Sequence, residues 1–204
     1  MDKQQYTKYI ANESHYNDVL TALSKVKHHL WIGTADIKDL YMKDGSATVP
    51  FLGVIAKMIK RGVEVRLIHA KEPGPAFRED FDRYPILAQC LERVLCPRVH
   101  FKMIIMDFEL AYIGSANLTG AGIGMKCANR RNFEAGILTN NPSLVEVASE
   151  QFDTVWRGAH CAKCGRKQYC KDISVLTIPA KYADQVAGTD LLYAWWNLPR
   201  MSAL

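Results

Sequence analysis

The stretch HFKMIIMDFELAYIGSAN, residues 100–117, carries the most chemical information in the chain. Its apolar runs on either side of Asp107 predict two β-strands joined by a short turn. Side chains two positions apart on a strand point to the same face, so His100 and Lys102 are expected to project together. Asp107 is expected to point to the other face, which suggests a structural role.

The turn between the strands decides what lies opposite these two side chains. If Phe108–Glu109 forms a two-residue hairpin loop, antiparallel pairing sets His100 opposite Asn117 and Lys102 opposite Ser115. An imidazole, an ammonium group, a hydroxyl and a carboxamide would then converge. This set suits a phosphodiester, because an imidazole can attack phosphorus while lysine and amide donors neutralise charge on the non-bridging oxygens.

The fixed positions, written HxKxxxxDxxxxxxGSxN, resemble the HKD signature of the phospholipase D-like phosphodiesterase superfamily. The resemblance covers residues 12–157 and is greatest to the single-motif, nuclease-type branch of that superfamily. It implies catalytic roles for four residues, His100, Lys102, Ser115 and Asn117. It implies structural roles within the motif for Asp107 and Gly114. Ser115 can also be interpreted as a simple turn residue.

The segment Arg131–Glu134 resembles the region after the signature in this superfamily, where a glutamate orients the catalytic histidine. The resemblance therefore implies Glu134 as a further catalytic residue; the alternative is a solvated charge at a strand edge. Superfamily sites combine two motifs, of which one histidine is phosphorylated and the other protonates the leaving group. Since this chain has one motif, a homodimer is implied. No catalytic metal is expected, because lysine and amide donors stabilise the charge.

Helical and strand patterns alternate along the chain, which is typical of an α/β protein. We predict a central mixed β-sheet flanked by helices on both faces. The predicted helices are 12–26, 50–62, 86–94 and 142–156. The predicted strands are 30–32, 63–68, 99–106, 111–115 and 133–138. Residues 71–84 are predicted to form a surface loop.

A second chemical signal follows the last predicted helix. His160, Cys161, Cys164 and Cys170 supply four ligands of the kind that hold a structural Zn²⁺. Adjacent side chains diverge, so Cys127 is an alternative ligand to His160. A run of CxxC and one more cysteine also fits an iron–sulfur cluster, with Cys127 as its fourth ligand. Zinc is the preferred interpretation.

Length and composition bound the domain organisation. With 204 residues and 49% hydrophobic composition, the chain is expected to form a phospholipase D-like catalytic domain, residues 1–157, and a Cys-rich metal-binding segment with a C-terminal tail, residues 158–204. Cys90 and Cys96 lie in apolar surroundings and are expected to be core residues. Trp195 and Trp196 indicate an apolar element docked on the domain or on a partner.

Charge and the N-terminal sequence bear on partners and location. The net charge of +5 and the pI of about 8.8 suit a polyanionic partner. The polar start of the chain predicts a cytoplasmic protein without membrane contact. The Gly- and Arg-containing segment Gly120–Arg131 is either a phosphate-binding rim or a solvated loop.

The sequence therefore predicts a phosphodiesterase, most simply an endonuclease that cleaves nucleic acid through a covalent phosphohistidine in a homodimeric site. A phospholipase or phosphatidyltransferase is the alternative enzyme. The alternative from another class is a nucleic-acid-binding subunit of a larger assembly, with a gated or inactive site.

Overall fold

Eleven strands and four α-helices are present in the computed structural model of the chain, which describes residues 4–38, 40–71 and 73–170. The strands are β1 (Thr7–Ala11), β2 (His29–Thr34), β3 (Ile37–Lys38), β4 (Tyr41–Asp44), β5 (Ala47–Pro50), β6 (Glu64–His69), β7 (Glu92–Leu95), β8 (Lys102–Met106), β9 (Leu110–Gly114), β10 (Leu118–Thr119) and β11 (Ala135–Thr139). The α-helices are α1 (Phe51–Lys60), α2 (Pro75–Asp82), α3 (Pro85–Cys90) and α4 (Pro142–Trp156). The predicted docking of Trp195 and Trp196 lies outside the described residues.

Seven of these strands form one mixed sheet in the order β1-β11-β9-β8-β2-β6-β7. Strands β2, β6 and β7 run parallel to one another, as helical crossovers require. The remaining neighbours pair antiparallel, including the central pairs of β8 with β2 and with β9. Strand β8, which begins at Lys102, and its neighbour β2 are therefore interior strands with a partner on both sides.

Helices cover both faces of the sheet. On one face, Phe152 and Trp156 of α4 pack against Met103 and Ile105 of β8 in a buried apolar cluster. The other face is covered by α1 and by a helical stretch, which is π-helical over His15–Leu20 and 3₁₀ over Thr21–Lys25. Both sides of each central strand are buried, which explains the continuous apolar run in β8. The predicted α/β fold with a mixed sheet is confirmed.

Two predictions for residues 71–94 are wrong. The predicted loop contains helix α2, which begins at Pro75 and buries Phe77, because proline is well suited to the first turn of a helix. The predicted helix 86–94 ends at Cys90, and residues 92–95 form β7 instead. Parallel pairing with β6 supplies the hydrogen bonds of β7, so tertiary pairing outweighs the local helical pattern.

The β8–β9 hairpin differs from its predicted register by one residue. Met106 pairs with Leu110 and Lys102 pairs with Gly114, so the loop has three residues, 107–109. Lys102 therefore lies opposite Gly114 and not opposite Ser115, and the predicted two-residue loop is wrong. Since the register of an antiparallel pair depends on the loop length, one extra loop residue shifts every cross-strand partner.

Asp107 is the cause of this longer loop. It leaves the strand in the left-handed region, with φ of 52°. Its carboxylate accepts hydrogen bonds of 2.8 Å from the backbone amides of Lys27, His28 and His29. Burial opposes ionisation of this carboxyl, but the three amides outweigh burial, and the pKa of Asp107 lies below its usual value. The hairpin is thereby tied to the start of β2.

Among the described residues, none of the helices combines the length and the apolar composition that crossing a bilayer demands.

Candidate active site

The five residues predicted to be catalytic lie at one end of the central sheet, where β2 ends and β8 begins. His100 precedes β8 and Lys102 is its first residue. Ser115 directly follows β9, and Glu134 directly precedes β11. Asn117 contacts Thr34, the last residue of β2. The ends of the adjacent strands β8, β9 and β11 and the loop after β9 thus bring the five polar side chains to the same end of the sheet.

His100 and Lys102 form the centre of this group. His100 is exposed, whereas Lys102 is only 7% exposed. Lys102 Nζ lies 3.3 Å from Nδ1 and 3.4 Å from Nε2 of His100, and it donates a 2.7 Å hydrogen bond to the backbone oxygen of His100. A largely buried ammonium group is therefore held directly beside an imidazole that faces solvent.

The charge on Lys102 is tuned by its surroundings. Burial lowers the pKa of this lysine, because the charged form loses hydration, and the carboxylate of Glu134 partly counteracts the shift. Glu134 therefore lies close enough to stabilise the ammonium form. Lys102 thus supplies a positive charge in a partly desolvated position, where its attraction to an anion is stronger than in water.

Glu134 makes its own hydrogen bonds to Ser115 and Asn132. The hydroxyl of Ser115 donates to Oε2, and Asn132 Nδ2 donates to Oε1 at 3.1 Å. The hydroxyl of Ser115 also accepts a 3.0 Å hydrogen bond from the amide of Ala135. In the described part of the chain no hydrogen bond joins Glu134 to His100. The predicted role of Glu134 in orienting the histidine stays a prediction.

The orientation of the Asn117 side chain is set by backbone donors. Oδ1 accepts hydrogen bonds of 3.2 Å from the amides of both Ala35 and Asp36, and a 3.3 Å hydrogen bond from Thr34 Oγ1. Only an oxygen can accept from two N–H groups, so the NH₂ group must point the other way. Within the described residues, that NH₂ group has no partner and can donate to a ligand.

Four neighbouring residues, Thr34, Asn132, Tyr112 and His15, were not among the predicted site residues. Thr34 and Asn132 hold Asn117 and Glu134, as described above. Tyr112 is buried beneath the site, and its hydroxyl accepts from the amide of Ala116 at 3.4 Å. Thr34 and His15 reach the site from segments distant in the sequence, so no local pattern marks them.

His15 packs edge-on against Tyr112, with ring centroids 5.4 Å apart. It is fully buried, and its Nδ1 is paired with the backbone oxygen of Asn12. Burial lowers the pKa of His15, so the neutral form is favoured. The floor of the site is therefore a buried layer of aromatic rings, in which the uncharged form of His15 is favoured.

Gly114 provides the space for this layer. A Cβ at this position would stand 2.3 Å from the Tyr112 hydroxyl and 2.7 Å from the backbone oxygen of Ala135. Such contacts are well inside van der Waals distance, so only glycine fits without movement of the tyrosine or of β11.

The segment Gly120–Arg131 is folded against the site. Ile123 is fully buried, and the amide of Asn132 donates to the backbone oxygen of Ala121 at 3.0 Å. A Cβ on Gly122 would meet the backbone oxygen of Asn117 at 2.6 Å, so the segment packs directly on the Asn117 backbone. Lys126 and Arg130 are exposed on this segment. Two cations therefore stand on a loop that borders the site.

Four of the five residues predicted to bind metal follow α4 in the sequence. His160 and Cys161 are exposed, and Cys164 and Cys170 are partly exposed, all after α4. Cys127 lies in the segment that borders the site. Among the described residues no group of three or more histidine, cysteine or acidic side chains stands ready to hold a metal ion.

The geometry is suited to attack on a phosphorus atom. Among the five predicted residues, His100 offers an exposed imidazole as a nucleophile, and Lys102 and the Asn117 NH₂ supply donors. The carboxylate of Glu134 balances the lysine charge.

Comparisons with known proteins bear on the family and the fold of the chain. A family model described as "Cardiolipin synthase, PLD-like domain" matches residues 19–156, which is more than half of the chain. NucT from Helicobacter pylori is similar in structure, with a TM-score of 0.55, 15% sequence identity, and coverage of 74% of this chain and 95% of that chain. No curated protein matches the chain in sequence.

Two further solved structures share the fold. Nuc from Salmonella typhimurium, described as a phospholipase D family member, gives a TM-score of 0.56 at 20% identity, and the match covers 75% of this chain and 95% of that chain. A polyphosphate kinase from Porphyromonas gingivalis gives a TM-score of 0.53 at 12% identity, over 76% of this chain and 26% of that chain. At these identities the likeness concerns the fold alone.

Proposed function

Since the chain belongs to the phospholipase D-like domain family, we propose that it is a phosphodiesterase that cleaves nucleic acid, with His100 as the nucleophile. The observation that carries the proposal is the exposed imidazole of His100 with the Lys102 ammonium 3.3 Å and 3.4 Å from its two ring nitrogens. This proximity supports a nucleophilic role for His100 and an anion-binding role for Lys102.

The proposed reaction has two steps. A ring nitrogen of His100 attacks phosphorus and forms a P–N bond, while the P–O bond to the leaving oxygen breaks. The leaving oxygen receives a proton from the His100 of a second copy of the chain. Water then attacks phosphorus and breaks the P–N bond, and it returns a proton to the His100 of the second copy. Lys102 and the Asn117 NH₂ group stabilise the charge on the non-bridging oxygens.

The test of the nucleophile is a pair of histidine variants. His100→Ala is expected to lose at least 10³-fold in kcat, on the order of the loss seen when a nucleophile is removed, while it stays folded because the residue is exposed. His28→Ala is the matched control, since His28 is also exposed but precedes β2 at the opposite end of the sheet. Activity of His100→Ala within tenfold of wild type contradicts the assignment.

We further propose that the site is completed by a second copy of the chain. The described site contains one histidine with a companion lysine, whereas the mechanism needs a nucleophile and a separate acid. Phe133, next to Glu134, is 97% exposed, and an aromatic side chain so exposed fits a surface covered by a second subunit.

Phe133→Ser is expected to weaken dimerisation, as measured by light scattering across a dilution series. Val147→Ser is the control, because Val147 is an exposed apolar residue on α4, 62% exposed. A wild-type protein that is monomeric and fully active contradicts the shared site.

The proposed substrate class is nucleic acid because of the charge around the site. Lys126 and Arg130 are exposed on the segment that packs against Asn117, and the chain carries a net charge of +5. Each phosphate contact contributes about one counterion to the salt dependence of binding. The double variant Lys126→Ala/Arg130→Ala is therefore expected to lower the slope of log affinity against log salt by about 2.

The matched control for that variant is Lys60→Ala/Arg61→Ala. These two residues are also an exposed lysine and an exposed arginine, but they end α1 at the opposite end of the sheet. An equal change in slope for both double variants contradicts the proposed rim.

The second candidate function is a phospholipase or phosphatidyltransferase, which the description of the matching family model favours. Incubation with single-stranded and duplex DNA, RNA and phosphatidylcholine vesicles in EDTA separates the two enzymes. Turnover of lipid without cleavage of nucleic acid would overturn the proposal. Tight binding of nucleic acid without any cleavage would favour a gated or inactive binding subunit.

A further inference from the structure

The segment after α4 is docked on the loop that leads into β8. Two contacts join them in the described chain. Cys170 Sγ lies 3.5 Å from the backbone oxygen of Leu95, and Arg166 Nη1 donates to the backbone oxygen of Pro97 at 3.2 Å. Leu95 and Pro97 are the two neighbours of Cys96 in the chain, so the contacts lie on either side of it.

Cys96 belongs to the same neighbourhood as the three later cysteines. Cys161 is exposed as a residue, yet partial burial of its sulfur raises the pKa of the thiol, and the nearby thiols of Cys96, Cys170 and Cys164 raise it further. Cys96 comes first among these three. This influence, together with the contacts of Cys170 with Leu95 and of Arg166 with Pro97, places Cys96 next to the segment that carries the other three cysteines.

The backbone around Cys161 and Cys164 has the form of a tight turn. The amide of Cys164 donates to the backbone oxygen of Cys161 at 3.2 Å, which brings two thiols of a CxxC sequence to one side. The amide of Arg166 donates to Cys164 Sγ at 3.5 Å.

We propose that Cys96, Cys161, Cys164 and Cys170 bind one structural Zn²⁺ ion. Cys96 takes the place of His160 or Cys127 as the fourth ligand. The sequence had favoured a core position for Cys96. With the side chains as they stand in the described residues, no three of these cysteines form a group that could hold a metal ion. Rotation of the cysteine side chains about χ1 is the movement that brings the thiols together, since each thiol has other staggered rotamers available.

The position of Cys96 gives the ion a structural consequence. The amide of Val99 donates to the backbone oxygen of Cys96 at 2.9 Å, and Val99 is buried directly before His100. A zinc ion held by Cys96 would therefore anchor the turn from which His100 emerges, and it would tie residues 161–170 to the body of the domain. This consequence is separate from the proposed function, and the metal site can be tested without any substrate.

The experiment is differential alkylation of the wild-type protein, with the modified cysteines located by mass spectrometry. Elemental analysis is expected to give about one zinc per chain. In zinc-loaded protein, Cys96, Cys161, Cys164 and Cys170 are expected to react at least tenfold more slowly than after zinc is displaced with an organomercurial and a chelator. Cys90 and Cys127 are exposed internal controls whose rates are expected to stay unchanged.

Single variants provide a second readout. Cys96→Ser is expected to lower the bound zinc well below one per chain and to lower Tm, whereas Cys127→Ser and His160→Asn keep full occupancy. Alkylation of Cys96 at equal rates with and without zinc would overturn the fourth ligand. Bound iron with sulfide, a disulfide between Cys161 and Cys164, or reduced protein without metal would overturn the zinc site.

Discussion

Replacement of Asn117 by aspartate separates the two roles that the structure gives this side chain. Oδ1 accepts hydrogen bonds from Thr34, Ala35 and Asp36, while the NH₂ group is turned away from them. An aspartate keeps an oxygen in the accepting position and replaces the donor by a second oxygen. Asn117→Asp is therefore expected to preserve the fold and to lose the ability to donate to a phosphate.

The magnitudes follow from the number of bonds affected. Loss of one donor to the transition-state oxyanion costs about 10²–10³ in kcat, and the new negative charge beside the phosphate adds to this loss. In Asn117→Ala, by contrast, the amides of Ala35 and Asp36 lose their acceptor, at about 1–3 kcal/mol for each unsatisfied group. The alanine variant is therefore expected to lose both activity and about 2–4 kcal/mol of stability.

The charge introduced by Asn117→Asp is tolerable in this place. The carboxylate of the neighbouring Asp36 lies 3.4 Å from Lys38 Nζ and 3.7 Å from Lys71 Nζ, so its own charge is partly balanced. Amide donors also bind a carboxylate more strongly than a neutral carboxamide. A change in the free energy of unfolding below about 1 kcal/mol is expected at pH 7.

The assays are chemical denaturation for stability and steady-state cleavage of a chromogenic phosphodiester for kcat. Asn117→Asp with wild-type stability and at least 10²-fold lower kcat supports the orientation of the amide. Activity within tenfold of wild type for the aspartate variant refutes the donor role. If Asn117→Ala is as stable as the wild type, the role of Oδ1 in holding the end of β2 is refuted.

Three further perturbations test the surroundings of the site. Asp107→Ala removes the acceptor of three backbone amides and is expected to lower the free energy of unfolding by about 2–4 kcal/mol, measured by denaturation. Asp107→Gly relieves the strain at φ of 52° and is expected to recover less than half of that loss. Equal stability of wild type and Asp107→Ala would contradict this. Gly114→Ala is expected to cost about 1–3 kcal/mol, because its Cβ would meet Tyr112, and a wild-type Tm would show that the site relaxes freely. The pKa of His15 in the folded state lies below the unfolded value of about 6.5, so the unfolded chain binds the proton preferentially. Stability is therefore expected to fall as the pH drops below about 6.5. His15→Phe is expected to flatten this slope of stability against pH, and an unchanged slope would refute the contribution of His15.

Several features of this protein could be predicted from local sequence because they depend on spacing along one segment. Helix α4 has the bounds predicted, 142–156, since its proline start and apolar periodicity are local. The motif at residues 100–117 indicated the family, and the family model confirms that membership. The presence of His100 and Lys102 on one strand end follows from the two-residue period of a strand.

The tertiary structure decided the features that depend on residues distant in the chain. The hairpin register differs by one residue because Asp107 is bound by amides of residues 27–29. The orientation of Asn117 is set by the end of β2, and Glu134 is paired with Ser115 across two strands. Cys170 and Arg166 contact Leu95 and Pro97, the two neighbours of Cys96, only because the segment after α4 returns to the start of β8. Periodicity along the chain predicts which face a side chain occupies, but only folding brings together hydrogen-bond partners that are tens of residues apart, and those partners determine how each group in the site is oriented.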